Sequence, residues 1–65
     1  MSSLGEEYPK EQARCRELLA LYKEIPTGAF GAMAIEQALR GADEAAASQD
    51  IQAMLRAFER MKGCQ

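Results

Sequence analysis

The stretch TGAFGAMAIEQALRGADEAAAS, residues 27–48, carries eight alanines between positions 29 and 47, and they outweigh the single mid-stretch glycine, Gly41. Alanine is the strongest helix former, and one glycine costs only about 1 kcal/mol against it, so the segment predicts a helix over 29–47. On a wheel of 100° per residue, Ala34, Ala38, Ala42 and Ala45 fall within an arc of about 80°, with Gly31 at its edge. Ile35 and Leu39 flank this ridge on one side, Phe30 and Met33 on the other. A ridge of small side chains lets a neighbouring helix approach closely while larger flanking residues clasp it. The second helix is therefore expected to be central, contacted by one helix on each side.

Two other readings of the same stretch fail. A phosphate cradle needs a preceding strand and a following lysine, and neither surrounds Gly28 and Gly31. A membrane helix contact also uses small residues four apart. Here, however, Glu36, Gln37, Arg40, Asp43 and Glu44 interrupt the run.

Working outward, Pro9 suits the first turn of a helix, where its missing N–H costs nothing. Cys15, Leu18, Leu19, Tyr22 and Ile25 then recur at i, i+3, i+4, i+7 and i+10, with Leu21 on the flank, until Pro26 ends the pattern. Thr27 is the expected cap of the second helix, and Ser48 or Asp50 of the third. Ile51, Met54, Leu55, Phe58 and Met61 repeat the spacing of helix one, and Gly63 offers a stop with Lys62 at the negative end of the helix dipole. The organisation expected is a flexible tail over 1–7 and one helical domain over 8–65, with helices at about 9–25, 29–47 and 50–62. No segment alternates with period two. The fold class is all-α: a three-helix bundle, or a helical hairpin plus one helix, with short turns.

A chain of 65 residues holds one domain and buries only about 60% of its unfolded surface. Such scaffolds usually add a disulfide, a metal or self-association. With no histidine, and with Cys15 and Cys64 far apart in sequence, no metal or cofactor site is expected. An up-down-up layout puts the two cysteines at opposite ends, so they read as free thiols in a reducing, cytoplasmic setting. The start MSSLGEEYPKEQ lacks the basic and apolar regions of a secretion signal. No run approaches the roughly 18 apolar residues of a membrane span. The net charge is −2, from 10 acidic and 8 basic residues spread along the chain, which makes nucleic acid a poor partner.

Catalysis is not expected, since no general base stands beside Cys15, Cys64 or Ser48. Cys15 lies on an apolar stripe and reads as a small buried hydrophobe. Glu36, Arg40, Asp43 and Glu44 are spaced to pair along one helix face. Arg56, Arg60 and Lys62 form the one small basic patch, a rim for an acidic partner or, in a dimer, a surface for nucleic acid. Three short helices cannot enclose every apolar residue present. Phe30, Met33, Met54, Phe58 and Met61 are therefore the expected interface for a protein partner or a second copy in a homodimer.

The strings YPKEQARCRELLALYKEI (8–25) and GAFGAMAIEQALRGADEA (28–45) resemble a group of small, uncharacterised helical proteins encoded by bacteriophages and prophages. The likeness spans residues 8–62. It implies a bacterial or phage setting and an accessory protein that modulates a host or phage protein, and it carries over no site residue. Residues 38–61 are also similar to the linked helices of tetratricopeptide arrays, a likeness of packing alone.

Overall fold

The computed structural model describes residues 3–65, in which three α-helices pack against one another and no strand occurs. They are α1 (Leu4–Lys23), α2 (Ala29–Ser48) and α3 (Ile51–Lys62). Helix α2 is the central element, packed on both others, whereas α1 and α3 touch each other less. Tyr8 stands beside Phe58, Cys15 beside Met61, and Tyr22 beside Gln65, so α1 and α3 run parallel and α2 antiparallel to both.

Helix α1 begins five residues before Pro9, so residues 3–7 are not the tail expected there; Met1 and Ser2 lie outside the described residues. The reason is the sequence Ser3-Leu4-Gly5-Glu6, whose spacing is that of a capping box. Ser3 Oγ accepts from the Glu6 N–H at 3.3 Å, and Glu6 and Glu7 stand at the positive end of the helix dipole. Pro9 then sits inside the helix, where its missing N–H withholds one bond from Gly5. Burial of Tyr8 offsets this loss. Its side chain is 2% exposed, and its hydroxyl donates to Ala42 O at 2.8 Å.

Helix α1 also ends earlier than expected, at Lys23. Pro26 has no N–H for the carbonyl of Tyr22, and Ile25 donates to it instead, at 3.2 Å, tightening the chain into a turn. Ile25 thereby leaves the helix. The cap of α2 is Gly28, not Thr27, and it makes no side-chain cap bond. A Cβ at position 28 would overlap the backbone carbonyl oxygen of Tyr22, and a Cβ at position 31 would overlap the Tyr22 ring. Both glycines of the G-x-x-G pair thus make room for one tyrosine.

Helices α2 and α3 are joined by Gln49, in the left-handed region at φ 57°, and by Asp50, whose carboxylate accepts from the Ala53 N–H at 3.2 Å. Helix α3 ends at Gly63 as expected, though with an ordinary φ of −77°.

The core is small-grained. Ala42, Ala45, Ala57, Ile35 and Leu39 are buried together with Tyr8, Cys15 and Met61, and only Met61 and Cys15 among the larger side chains are wholly enclosed. Of the ridge expected on α2, Ala38, Ala42 and Ala45 are buried, while Ala34 is exposed. The Cα trace spans 36 × 23 × 16 Å, and three helices of this length leave broad faces in solvent.

The glycines yield a paired prediction. Nothing stands within 4 Å of a Cβ built on Gly41, so Gly41→Ala is expected to stabilise by up to about 1 kcal/mol and raise Tm by roughly 4–8 °C. Gly31→Ala offers the same helix gain but drives the Tyr22 ring aside, an overpacking cost of about 1–3 kcal/mol. Its Tm is expected to fall. Circular-dichroism melting checks both, and a rise for Gly31→Ala would show that Tyr22 does not depend on the notch.

Candidate functional site

Large apolar side chains in solvent are the most informative surface feature, because packing has not consumed them. Phe30 is 86% exposed, Leu21 59% and Met33 53%, and Ile25 is about half exposed. All four lie at the same end of the bundle, in the last turn of α1, the connecting turn and the first turns of α2. A second exposed pair, Ile51 and Leu55, lies one helical turn apart on α3.

The expected interface of Phe30, Met33, Met54, Phe58 and Met61 is divided by this arrangement. Phe30 and Met33 are exposed, as an interface requires. Met61 is wholly buried, and Met54 and Phe58 pack against the core, with the Phe58 ring stacked on Tyr8 at a centroid distance of 6.2 Å. The cause is the early start of α1, which brings Tyr8 over the α3 stripe. Ile25, Ile51 and Leu55 are exposed residues that the helical spacing placed on the apolar stripes, and Leu21, on the flank of its stripe, is exposed too. Pro26 draws Ile25 out of α1 into the turn, and the other three lie on faces that no helix of the described residues covers.

The basic residues are divided as well. Arg56 and Arg60 line a shallow groove with Ala38, Gly41, Ala53 and Ala57, between α2 and α3. Lys62 instead lies over the ring of Phe58, 5.6 Å from its centroid, a cation–π contact facing α1. The three therefore present no single basic face.

Carboxylates of α2 reach across to α1 rather than along their own helix. Asp43 takes both carboxylate oxygens to the Arg16 guanidinium at 2.8 and 2.9 Å and accepts from Gln12 at 2.9 Å. Glu36 pairs with Lys23 at 3.2 Å. These pairs are about half exposed and each contributes at most about 1 kcal/mol, so they orient the α1–α2 hairpin more than they stabilise it.

On the opposite side of α1, Arg14 holds Glu11 through two bonds of 3.0 Å and donates to the carbonyls of Met61 at 2.7 Å and Cys64 at 2.9 Å. Met61 stands in the last turn of α3, where carbonyls run out of helical partners, and Cys64 follows the Gly63 cap. The guanidinium caps that end, which explains how Gly63 can stop the helix without a left-handed turn. Cys15, expected to be buried, is 0% exposed. It is not at the far end from Cys64, however. Both cysteines adjoin Met61: the Cys15 thiol donates to Met61 O at 3.6 Å and the Cys64 N–H at 3.0 Å. The parallel course of α1 and α3 holds as expected, but α3 is shorter and its end stands level with the middle of α1.

Burial pushes the Cys15 thiol up, with the neighbouring Cys64 adding to the shift, and burial also pushes the Tyr8 phenol up, with the Asp43 carboxylate adding. Among the described residues no group of three His, Cys, Asp or Glu side chains is placed to hold a metal ion, and no buried side-chain polar atom lacks a partner. The consequence of the two shifts is for stability. Both groups keep their protons longer in the folded chain, so the unfolded chain deprotonates first and stability falls as pH rises. The decline is expected to start near the ordinary thiol value of 9.0 and to steepen near the ordinary phenol value of 10.0. Cys15→Ala should remove the earlier part and Tyr8→Phe the later; melting temperatures from pH 7 to 11 that fall equally in all three proteins would refute the assignment.

Comparison of the chain with protein-family models, with curated proteins and with solved structures finds no match.

Proposed function

We propose that this chain is a non-enzymatic protein-binding module that docks through the apolar corner of Leu21, Ile25, Phe30 and Met33. The observation that carries the reading is Phe30, a phenylalanine left 86% exposed on a fold with so little core to spare. Burying such a side chain stabilises an assembly by about 1.5–3 kcal/mol, and aromatic anchors of this kind dominate interface energetics. Lys23 and Glu36, already paired across the α1–α2 hairpin, lie near enough in sequence to rim the corner with charge. Arg56 and Arg60, expected as rim residues, serve the separate groove between α2 and α3.

The resemblance of residues 8–62 to phage and prophage proteins supports a bacterial or phage protein as the partner and the cytoplasm as the setting. Among the described residues no helix is long and apolar enough to cross a membrane. A second copy of the chain could fill the same role, making a homodimer. Nucleic acid is less favoured, because Arg56 and Arg60 face one side of α3 and Lys62 the other.

The test is capture from a bacterial lysate by the tagged chain and by Phe30→Ala side by side, with the complex's mass determined in solution. A stoichiometric partner, or self-association, that weakens about 10-fold or more with Phe30→Ala is expected, that factor being about 1.4 kcal/mol. The Tm of Phe30→Ala should change little, since the side chain makes few contacts within the chain. A strictly monomeric protein whose captured proteins are indifferent to Phe30→Ala, Met33→Ala and Leu21→Ala would overturn the reading.

A further inference from the structure

One carbonyl gathers the chemistry at the end of α3. Met61 O accepts from Arg14 at 2.7 Å, from the Cys64 backbone at 3.0 Å and from the Cys15 thiol at 3.6 Å. Arg14 lies 3.9 Å from the Cys15 sulfur and holds the Cys64 carbonyl at 2.9 Å. The Cys64 thiol turns back to Arg60 O at 3.7 Å.

We propose that Cys15 and Cys64 form a redox-responsive dithiol, which closes to an intramolecular disulfide by exchange with a small-molecule disulfide and staples the end of α3 to the middle of α1. The inference does not depend on the protein-binding reading. A disulfide needs its two Cα atoms about 4.4–6.8 Å apart and a defined torsion. Cys15 is fixed inside a long helix and cannot adjust. Cys64 can, because it follows Gly63 beyond the last residue of α3.

The chemistry assigns the two thiols different tasks. Cys64 is only partly buried and meets the oxidant first; Cys15 is sealed in the core. The Cys64 thiolate attacks one sulfur of the oxidant R–S–S–R, forming Cys64–S–S–R and releasing one RSH. The Cys15 thiolate, beside the Arg14 guanidinium, then attacks the Cys64 sulfur and expels the second RSH. Two protein thiols are oxidised by two electrons, one external disulfide is reduced, and both protons leave on the released thiols.

Closure ties a long loop, since 49 positions separate the two cysteines. Constraining the unfolded chain over such a span is the main source of disulfide stabilisation, and in a domain this small it corresponds to a Tm rise of about 10 °C or more. The fold would then switch from a marginal bundle to a locked one, at the loss of the thiol hydrogen bonds from Cys15 to Met61 O and from Cys64 to Arg60 O. The corner bearing Phe30 is on other segments and stays free in both forms.

The experiment treats the full chain with oxidised glutathione at low protein concentration and follows intact mass, peptide mapping without reductant, and Tm. The expected product is a monomer that has lost two hydrogens, joined between Cys15 and Cys64, melting about 10 °C or more above the reduced protein. Cys15→Ala is expected to stop at a glutathione adduct on Cys64. Because that variant removes a buried side chain, Cys64→Ala serves as the second control, and it should stay reduced and monomeric while folded. A glutathione adduct that persists in the parent chain, disulfide-linked dimers, closure only in denaturant, or closure without a gain in Tm would each overturn the proposal.

Discussion

The guanidinium of Arg14 is the constraint on which the three-helix arrangement rests. Helices α1 and α3 share fewer contacts than either shares with α2, and their parallel course brings the negative end of α3 against the side of α1. That end exposes carbonyls whose N–H partners the helix has run out of. Arg14 supplies donors to Met61 and Cys64 while Glu11, on the previous turn, neutralises and orients it. A planar, always-charged fork fits this task; a lysine at the same position would present one rotating point charge and lose the geometry. The helix end is thus satisfied from outside, and the turn after Gly63 is released from doing so.

The second organising principle is the economy of volume on α2. Ala38, Ala42 and Ala45 bring its neighbours close, and Gly28 and Gly31 open a notch for Tyr22 where α1 turns into α2. Close approach raises dispersion contact per side chain, but it spends few large residues on the interior. The result is a core in which Met61, Ile35, Leu39 and Tyr8 do most of the filling while Phe30, Leu21, Ile51 and Leu55 remain outside. Apolar surface on this protein is a direct product of how tightly its helices pack.

The helix count, the order of elements, the central role of α2 and the termini of α2 and α3 to within a residue or two were legible in the sequence, because alanine content, apolar spacing and the Asp50 cap are local signals. The start of α1 was not, because Pro9 is a strong local stop that the cap at Ser3 and the long-range burial of Tyr8 override. The candidate interface was legible only in part. Phe30 and Met33 stand exposed, as an interface requires, instead of clasping a neighbouring helix as the wheel implied, whereas Phe58 is stacked on Tyr8 and Met61 is buried beside Cys15. Spacing says which residues share a face, and only the partner helix decides whether that face is covered. Arg14 and the nearness of Cys15 to Cys64 carried no local signal at all: both depend on the axial offset of α3 along α1, which three-dimensional packing alone sets.

Gln49 bears on the topology itself. A residue with a Cβ pays roughly 1–2 kcal/mol to stand in the left-handed region, and here it does so between two helices whose sequence, EAAASQD, is itself compatible with continuing α2. Asp50 caps α3 and breaks the run, but a local cap does not fix which way the chain turns. The hairpin is therefore imposed by the burial of Ala57 and Met61 and by the grip on the α3 terminus, and the joint at Gln49 behaves as a bent spring held shut by the far end of its own lever.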